Sequence, residues 1–105
     1  MKDDSKKEYK KASTRKLEVL AKACVMAKGK PYHLITRDDL ARIGNTATGN
    51  ISRIMGGMDG FRKCIVDYAI DTDCSHVIAQ AINLGSVSVR GMSKKDRKRH
   101  LMAIL

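Results

Sequence analysis

The chain of 105 residues has few aromatic side chains: three Tyr, one Phe and no Trp. Proteins that hold single-stranded nucleic acid commonly stack the bases on aromatic rings, so this composition argues against that class of function. The sequence also has no apolar run of roughly 18 residues, the length that a transmembrane helix needs. Its first residues are polar and do not resemble a signal peptide. We therefore expect no contact with a membrane.

The chain has only three cysteines, an odd number at irregular spacing. This pattern does not suit a disulfide framework, and it fits a protein of the reducing cytoplasm. The expected location is therefore the cytoplasm of a bacterium or of an infected cell, associated with the nucleoid.

Patterns that indicate an enzyme are also missing. Gly44 and Gly49 have the spacing of a phosphate-binding loop, but no Lys-Ser/Thr pair follows them. Cys64, Cys74 and His76 match a metal site only if the usual spacing is stretched, and the two cysteines fit buried helix positions equally well. We expect no catalytic residues, no bound metal and no cofactor.

Positive charge is what the chain has in excess, with 21 Lys and Arg against 11 Asp and Glu, a net charge of +10. Residues 1–16 contribute +4, residues 90–100 contribute +5, and the long segment between them only +1. Such a balance suits a polyanion such as nucleic acid or an acidic membrane surface, and since no membrane contact is expected, nucleic acid is the predicted partner.

The two basic ends have different predicted roles. Residues 1–12 lack apolar periodicity and are predicted to be a flexible arm. The arm, with Lys10 and Lys11, either contacts DNA or serves only as a solubilising tail. In the second basic segment, the side chains form a DNA-backbone patch, an RNA-binding stretch or the solvent face of a dimerisation helix. The residues concerned there are Lys94, Lys95, Arg97 and Lys98.

Apolar periodicity predicts an all-α fold of about five or six helices. The first helix begins after Ser13 or Thr14, ends near Lys28 and is followed by Gly29. Its core-facing residues are predicted to be Leu17, Leu20, Ala21, Cys24 and Val25.

Residues 36–55 predict two short helices joined by a tight turn. Thr36 and Asp39 have the spacing of a capping box at the start of the first of these helices. Gly44 and Asn45 form the turn, because both residue types accept left-handed backbone angles. The next helix, over residues 46–55, has an apolar side formed by Ile51, Ile54 and Met55. The opposite side carries Thr48, Asn50, Ser52 and Arg53.

The rest of the chain has weaker patterns. A helix is predicted to begin near Met58, and a stretch to Asn83 either continues it or bends around residues 71–73. Residues 86–90 alternate apolar and polar side chains, as in a short strand or an extended linker. Ser93 caps a last helix that runs to Leu105. The predicted division is an arm over 1–12, a helix-turn-helix domain over 13–70 and an oligomerisation tail with a basic segment over 71–105.

Residues 17–65 resemble the DNA-binding domain of the tetracycline-repressor (TetR) family. The matching features are Lys28-Gly29 at the end of a helix, Thr36 and Leu40-Ala41 in the next, and the recognition-helix segment 49–55 followed by Gly56. The turn glycine of the family is Asn45 here, its serine before the recognition helix is Ala47, its phosphate-binding tyrosine is Ser52 and its helix-four lysine is Met58. The family's ligand-binding domain has no counterpart, so we expect no small-molecule inducer and a small regulator of the phage or plasmid type.

These patterns together predict a sequence-specific regulator of transcription that binds double-stranded DNA, acts as a repressor and works as a homodimer or higher oligomer. Base contacts are expected from Thr48, Asn50 and Arg53. Phosphate contacts are expected from Thr36, Arg37, Thr46 and Ser52. The expected interface combines Leu101–Leu105 with the apolar stripe Cys74, Val77, Ile78, Ala81 and Ile82.

Two alternatives remain open. One is an accessory protein for DNA packaging, partition or replication, which would use the same helix-turn-helix on repeated sites. The other is an adaptor that binds RNA or a host protein through the basic tail.

Overall fold

A computed structural model describes residues 14–104 of the protein, and in that range it is helical with no strand. The prediction of a small all-α fold of five or six helices is confirmed. The predicted arm, including Lys10 and Lys11, lies outside the described residues, as does Leu105. The helices are α1 (Thr14–Met26), α2 (Arg37–Gly44), α3 (Thr48–Met55), α4 (Gly57–Thr72), α5 (Ser75–Leu84) and α6 (Lys94–Ala103). Two short 3-10 turns cover Tyr32–Leu34 and Val87–Val89.

One hydrophobic core joins α1 to α5 and the second 3-10 turn. Leu20, Leu40, Ile51, Phe61 and Ile78 are all fully buried in it, although they come from five different helices. The core therefore extends across residue 70, the predicted domain boundary, and residues after it pack against the helices before it.

The apolar stripe of α5 belongs to this core. Val77, Ile78 and Ala81 have no exposed surface. The expectation that this stripe forms an interface between subunits is therefore wrong, because a side chain buried by its own chain cannot contact a second copy.

The buried face of α1 also differs from the prediction. Leu20 and Cys24 are buried as expected, but Val19 and Ala23 share the core with them, whereas Val25 is 65% exposed. Apolar side chains of α1 occur around much of its circumference, so its sequence is compatible with two overlapping apolar stripes, either of which could face the core. Packing against the other helices selects one of them. The helix also ends at Met26, two residues earlier than expected.

Local hydrogen bonds set both ends of α2. Thr36 and Asp39 form the predicted capping box, in which each side chain accepts a bond from the other residue's backbone N–H. At the other end Asn45 adopts left-handed angles (φ 51°), and the Thr46 N–H donates to the carbonyl of Ala41. This is the hydrogen bonding of a Schellman motif, which satisfies the last carbonyls of the helix.

Gly44 has a different role from the predicted one. It is still helical, and a Cβ atom on it would lie 2.8 Å from Val19 Cγ2. The glycine is needed because α2 comes very close to α1, while the left-handed position belongs to Asn45 alone.

Helix α3 begins at Thr48, two residues later than predicted. The Thr46 N–H donates to a carbonyl of α2, and Ala47 has extended backbone angles, with φ −79° and ψ 153°. The Schellman motif thus shortens the next helix.

After α4 the structure agrees with the predicted bend and differs from the prediction at residues 87–89. Asp73, with φ 62°, produces the bend between α4 and α5 that was one of two predicted alternatives. Residues 87–89 form a 3-10 turn and not a strand. The Ser86 side chain accepts a hydrogen bond from the Ser88 N–H, and Val89 is buried, so the turn is fixed locally and by the core.

Candidate nucleic-acid interface

The outer face of α3 is polar and accessible. Thr48 and Arg53 are exposed, whereas Ile51 and Met55 on the opposite face are buried. The helix therefore presents a threonine in its first turn and an arginine in its second toward solvent.

Asn50 lies between them and is only half-exposed. Its Nδ2 donates a hydrogen bond to Thr46 Oγ1 at 2.9 Å, and its Oδ1 accepts one from the Arg53 guanidinium. The three predicted contact residues Thr46, Asn50 and Arg53 thus form one hydrogen-bonded row. Asn50 must exchange these partners before its amide can pair with a base edge. Ser52, another predicted contact, is half-buried.

An open groove of about 520 Å³ lies beside this face. It is bordered by the segment before α2, the start of α3 and the first turns of α4. The residues that line it are His33, Leu34, Ile35, Thr36, Arg37, Asp38, Thr48, Met58 and Arg62. The structure therefore brings the predicted residues Thr36, Arg37 and Thr48 together in one depression.

Thr36 is partly committed within this groove. Its Oγ1 accepts from the Asp39 N–H at 3.1 Å and its own N–H donates to Asp39 Oδ2 at 3.0 Å. The hydroxyl proton of Thr36 can still be donated to a phosphate oxygen. Arg37 is exposed at the first position of α2, where its guanidinium can reach the same anion.

His33 and Arg62 are groove residues that the sequence interpretation missed. The Arg62 guanidinium is paired with the exposed carboxylate of Asp59 at 3.2 Å. A pattern that points to Arg62 does exist. Arg62 lies one helical turn after Met58, the residue that replaces the helix-four lysine in the predicted family resemblance, and both residues line the groove.

Asp39 holds the start of α2 in place. Its Oδ2 lies 2.5 Å from Lys30 Nζ, and its Oδ1 lies 3.1 Å from Arg42 Nη2. The hydrogen bond from Lys30, then the bonds from Thr36 and Arg42, hold the pKa of this carboxyl well below its usual value of 3.8. The carboxylate therefore stays charged across the neutral range, and it pairs with two cations at the start of α2.

Two more basic side chains reach the turn between α2 and α3. Arg15 Nη1 donates to the Gly44 carbonyl at 2.9 Å, and Lys22 Nζ donates to the Ile43 carbonyl at 3.2 Å. These carbonyls form the negative end of the α2 dipole, which cations stabilise. Positive charge is thus placed at the end of α2, where the turn to α3 begins. Arg15 and Lys22 lie more than 20 residues before the carbonyls that they bind, so sequence patterns did not predict these contacts.

The basic segment of α6 has two parts. Lys94, Lys95 and Lys98 are exposed. Arg97 is half-buried and donates from Nε to the Met92 carbonyl and from Nη2 to the carbonyls of Val89 and Arg90, all within 3.2 Å. Its predicted role as a nucleic-acid contact is therefore corrected: it satisfies the carbonyls at the end of the 3-10 turn.

A Ser-His-Asp cluster in the same region does not have the geometry of a nucleophilic site. His100 is buried, with Nδ1 2.9 Å from Ser75 Oγ and Nε2 3.2 Å from an Arg99 nitrogen. A carboxylate that oriented this ring would have to accept a hydrogen bond from Nε2, but the neighbour of Nε2 at hydrogen-bonding distance is the Arg99 guanidinium, which can only donate. Asp73 Oδ1 lies 3.6 Å from Nε2, outside hydrogen-bonding distance, so Asp73 does not orient the ring. The cluster attaches α6 to the start of α5.

Within residues 14–104, no group of three or more His, Cys, Asp or Glu side chains is arranged to hold a metal ion. None of the helices in the same range is long and apolar enough to cross a membrane. Comparisons of the chain with protein-family models, with curated proteins and with solved structures find no match, so the resemblance to the tetracycline-repressor family stays a prediction.

Proposed function

We propose that the protein is a sequence-specific regulator that binds double-stranded DNA and inserts α3 into the major groove. The observation that carries this proposal is the division of α3 into two faces. Ile51 and Met55 anchor it in the core, while Thr48 and Arg53 are exposed and Asn50 lies between them. Arginine can pair bidentately with guanine and asparagine with adenine, so this row carries side chains suited to base recognition.

The surroundings of α3 support contact with the phosphate backbone. The groove that includes Thr48, the first residue of α3, also offers Arg37 and Arg62. Arg15 and Lys22 lie at the end of α2, where the turn to α3 begins. A helix in the major groove is flanked by phosphate ridges, so basic side chains in the groove and at the turn suit the charge that DNA presents there.

A dimer follows from the small size of the reading surface. One helix of eight residues contacts too few base pairs for useful discrimination, and two copies about one DNA turn apart multiply the specificity. Because the α5 stripe is buried, we assign the interface to the exposed apolar residues of α6 and its end, Met102 and Ile104. Repression in the cytoplasm, by occlusion of a promoter, is the mode of action that we propose.

In vitro selection of bound duplexes from a random pool tests the proposal. We expect an enriched palindrome with half-sites about 10 base pairs apart, centre to centre. Affinity for that site should fall steeply between low and physiological salt, because bound Lys and Arg release counterions from DNA. A pool that stays random, or an affinity that does not change with salt, would contradict sequence-specific duplex binding.

A footprint then separates regulation from DNA handling. The selected sequence should occur, and be protected by the protein, upstream of a gene that it controls, including its own. Protection only at repeated sites away from promoters would instead favour a role in packaging, partition or replication.

A further inference from the structure

One side of α6 is covered by lysines. Lys94, Lys95 and Lys98 are all exposed, and at about 3.6 residues per turn they fall within about 100° of the helix circumference. The opposite side of the helix holds His100, which is buried and in contact with Ser75. The three lysines thus form one solvent-facing surface, the lysine face of α6.

The charge of the lysine face is not neutralised by its surroundings. Within residues 14–104, its three ammonium groups form no ion pair or hydrogen bond with another residue. The arginines of the same helix differ, since Arg97 donates to three backbone carbonyls and Arg99 pairs with Asp73 at 3.3 Å. Asp96, the acidic residue of α6, lies outside the sector that the lysines occupy. Three positive charges are therefore free to bind an anion.

The lysines do not stabilise the helix that carries them. Lys94 and Lys98 are four positions apart, so they are neighbours on the helix surface and repel each other. Lys94 and Lys95 lie in the first turn, where the helix dipole disfavours positive charge. Alanine at these positions would be a better helix former and would remove the repulsion. Attraction of an anion accounts for three lysines in this sector, whereas helix stability does not.

The lysine face is remote from α3. Helix α3 ends at Met55, one residue before the start of α4. Helix α6 is attached at the other end of α4, where Arg99 pairs with Asp73, the residue that follows α4. Because α4 has 16 residues, its two ends are about 24 Å apart. The major groove is only about 12 Å wide, so the lysine face lies outside a groove that holds α3.

The chemistry of the lysine face suits a double-stranded polyanion. A duplex carries one negative charge per about 1.7 Å of its axis, so a helix of 10 residues, about 15 Å long, can meet several phosphates. Helix α6 has no aromatic side chain on which the bases of a single strand could stack. Phosphate contacts of this kind give affinity but carry no sequence information.

We propose that the lysine face of α6 binds the phosphate backbone of a second segment of double-stranded DNA, without reading its sequence, while α3 binds the first. The choice of DNA as the polyanion rests on the proposed function, whereas the exposure and charge of the lysine face do not. The lysines lie in the first half of α6, and Met102 and Ile104, assigned above to the dimer, lie at its end. The dimer therefore leaves the lysine face accessible, and the protein joins two DNA segments.

The test uses the full chain, saturated with its selected duplex, to which a random-sequence duplex with a second fluorophore is added. Fluorescence cross-correlation measures complexes that contain both duplexes. We expect the wild type to form them. The triple variant Lys94→Ala, Lys95→Ala, Lys98→Ala should bind the selected duplex nearly as well, but the second duplex at least about 10-fold more weakly. The salt slope for the second duplex should fall by about 3, one for each lysine.

The control is Lys63→Ala, which removes an exposed lysine of α4 that is paired with Asp67 at 3.0 Å. This variant should bind the second duplex as the wild type does. Circular dichroism should show the triple variant to be folded, because its substitutions favour the helix.

Two results would overturn the proposal. One is equal binding of the second duplex by the wild type and the triple variant, and the other is stronger lysine-dependent binding of double-stranded RNA than of DNA. If selection enriches no sequence, the proposed function of α3 fails, and the random duplex alone then decides about α6. A salt slope lower by about 3 in the triple variant would still support the lysine face, and an unchanged slope would overturn it.

Discussion

Asn50 and Arg53 form a pair on the surface of α3, and under the proposed function this affects how the helix would recognise DNA. The Arg53 guanidinium donates to Asn50 Oδ1, while Asn50 Nδ2 donates to Thr46. These bonds restrict both side chains to one arrangement on the surface of α3. Binding to a base edge replaces bonds that already exist, so the net gain comes from the match with the correct base and not from the mere formation of contacts.

Replacement of Arg53 by Ala should therefore affect specificity first. We expect a loss of about 1–3 kcal/mol in binding to the selected site, with non-specific binding nearly unchanged, because a base contact is lost. Fluorescence anisotropy with the selected duplex and with a scrambled duplex measures both values.

Arg62→Ala is the matched control, since it removes the same charge from the edge of the groove. It should weaken binding to both duplexes alike and reduce the salt slope by about 1, as expected for one phosphate contact. An equal loss on the two duplexes in Arg53→Ala would remove Arg53 from base recognition.

Asp39 predicts a loss of stability in acid. Its pKa is lower in the folded protein than the usual 3.8, chiefly through Lys30, so the stabilisation is present above about pH 4 and is lost as pH falls further. Asp39→Asn should flatten the acid side of a plot of unfolding free energy against pH. Asp38→Asn, which changes an exposed residue of the same turn, is the matched control because it leaves the ion pairs of Asp39 with Lys30 and Arg42 in place. If both variants keep the wild-type slope, the Lys30–Asp39–Arg42 cluster does not stabilise the fold.

At the scale of whole elements, the junction of α3 and α4 is the tightest contact involving a glycine. A Cβ atom on Gly60 would lie 2.1 Å from the carbonyl oxygen of Met55, which is backbone and cannot rotate away. The carbonyl is in the last turn of α3, so this contact fixes how α3 is held against α4.

Gly60→Ala should therefore separate α3 from α4. We expect a loss of at least about 2 kcal/mol in the free energy of unfolding, measured by urea denaturation followed by circular dichroism. Gly49→Ala is the control, because nothing lies within 4 Å of its added Cβ. Alanine is a better helix former than glycine, so that variant should be as stable as the wild type or more stable by up to about 1 kcal/mol. Similar stability in both variants would contradict the close approach.

The helix ends show which elements a sequence can predict. Thr36 with Asp39, Asn45 and Ser93 all mark helix ends in the structure, because caps depend on residues a few positions apart in the sequence. The buried face of α1, the position of Arg97 and the need for Gly44 were not predictable, since each depends on contacts made by distant parts of the chain. The exposed side of α3 could be predicted from apolar periodicity, which is a local pattern. The positions of Arg15, Lys22 and Arg62 near α3 could not be predicted, because they depend on how distant helices pack.

At the scale of the molecule, the core limits how far the chain can be shortened. Phe61 and Ile65 of α4 share the core with Val77, Ile78 and Ala81 of α5. A fragment of residues 1–70 would expose these α4 side chains to water. Burial of one large apolar side chain is worth about 1.5–3 kcal/mol, and a domain has only about 5–15 kcal/mol of stability.

We therefore expect the 1–70 fragment to be unfolded, although it contains α2, α3 and the turn between them. The measurement is its amide proton NMR spectrum beside that of the full chain. A dispersed spectrum from the fragment would show that the first four helices fold alone and that the chain does divide near residue 70.

The proposed dimer is a property of the whole molecule and can be tested by one exposed side chain. Met102 on α6 is 57% exposed, so Met102→Glu should not disturb the core. If α6 forms the interface, a buried charge should weaken the dimer by about 10-fold or more, equivalent to about 1.4 kcal/mol, in sedimentation equilibrium. Val25→Glu, at a site 65% exposed on α1, is the control and should leave the dimer intact. The pair of variants assigns the interface: a weaker dimer in Val25→Glu alone would move it to α1, and a wild-type protein that remains monomeric on its selected palindrome would exclude the dimer itself.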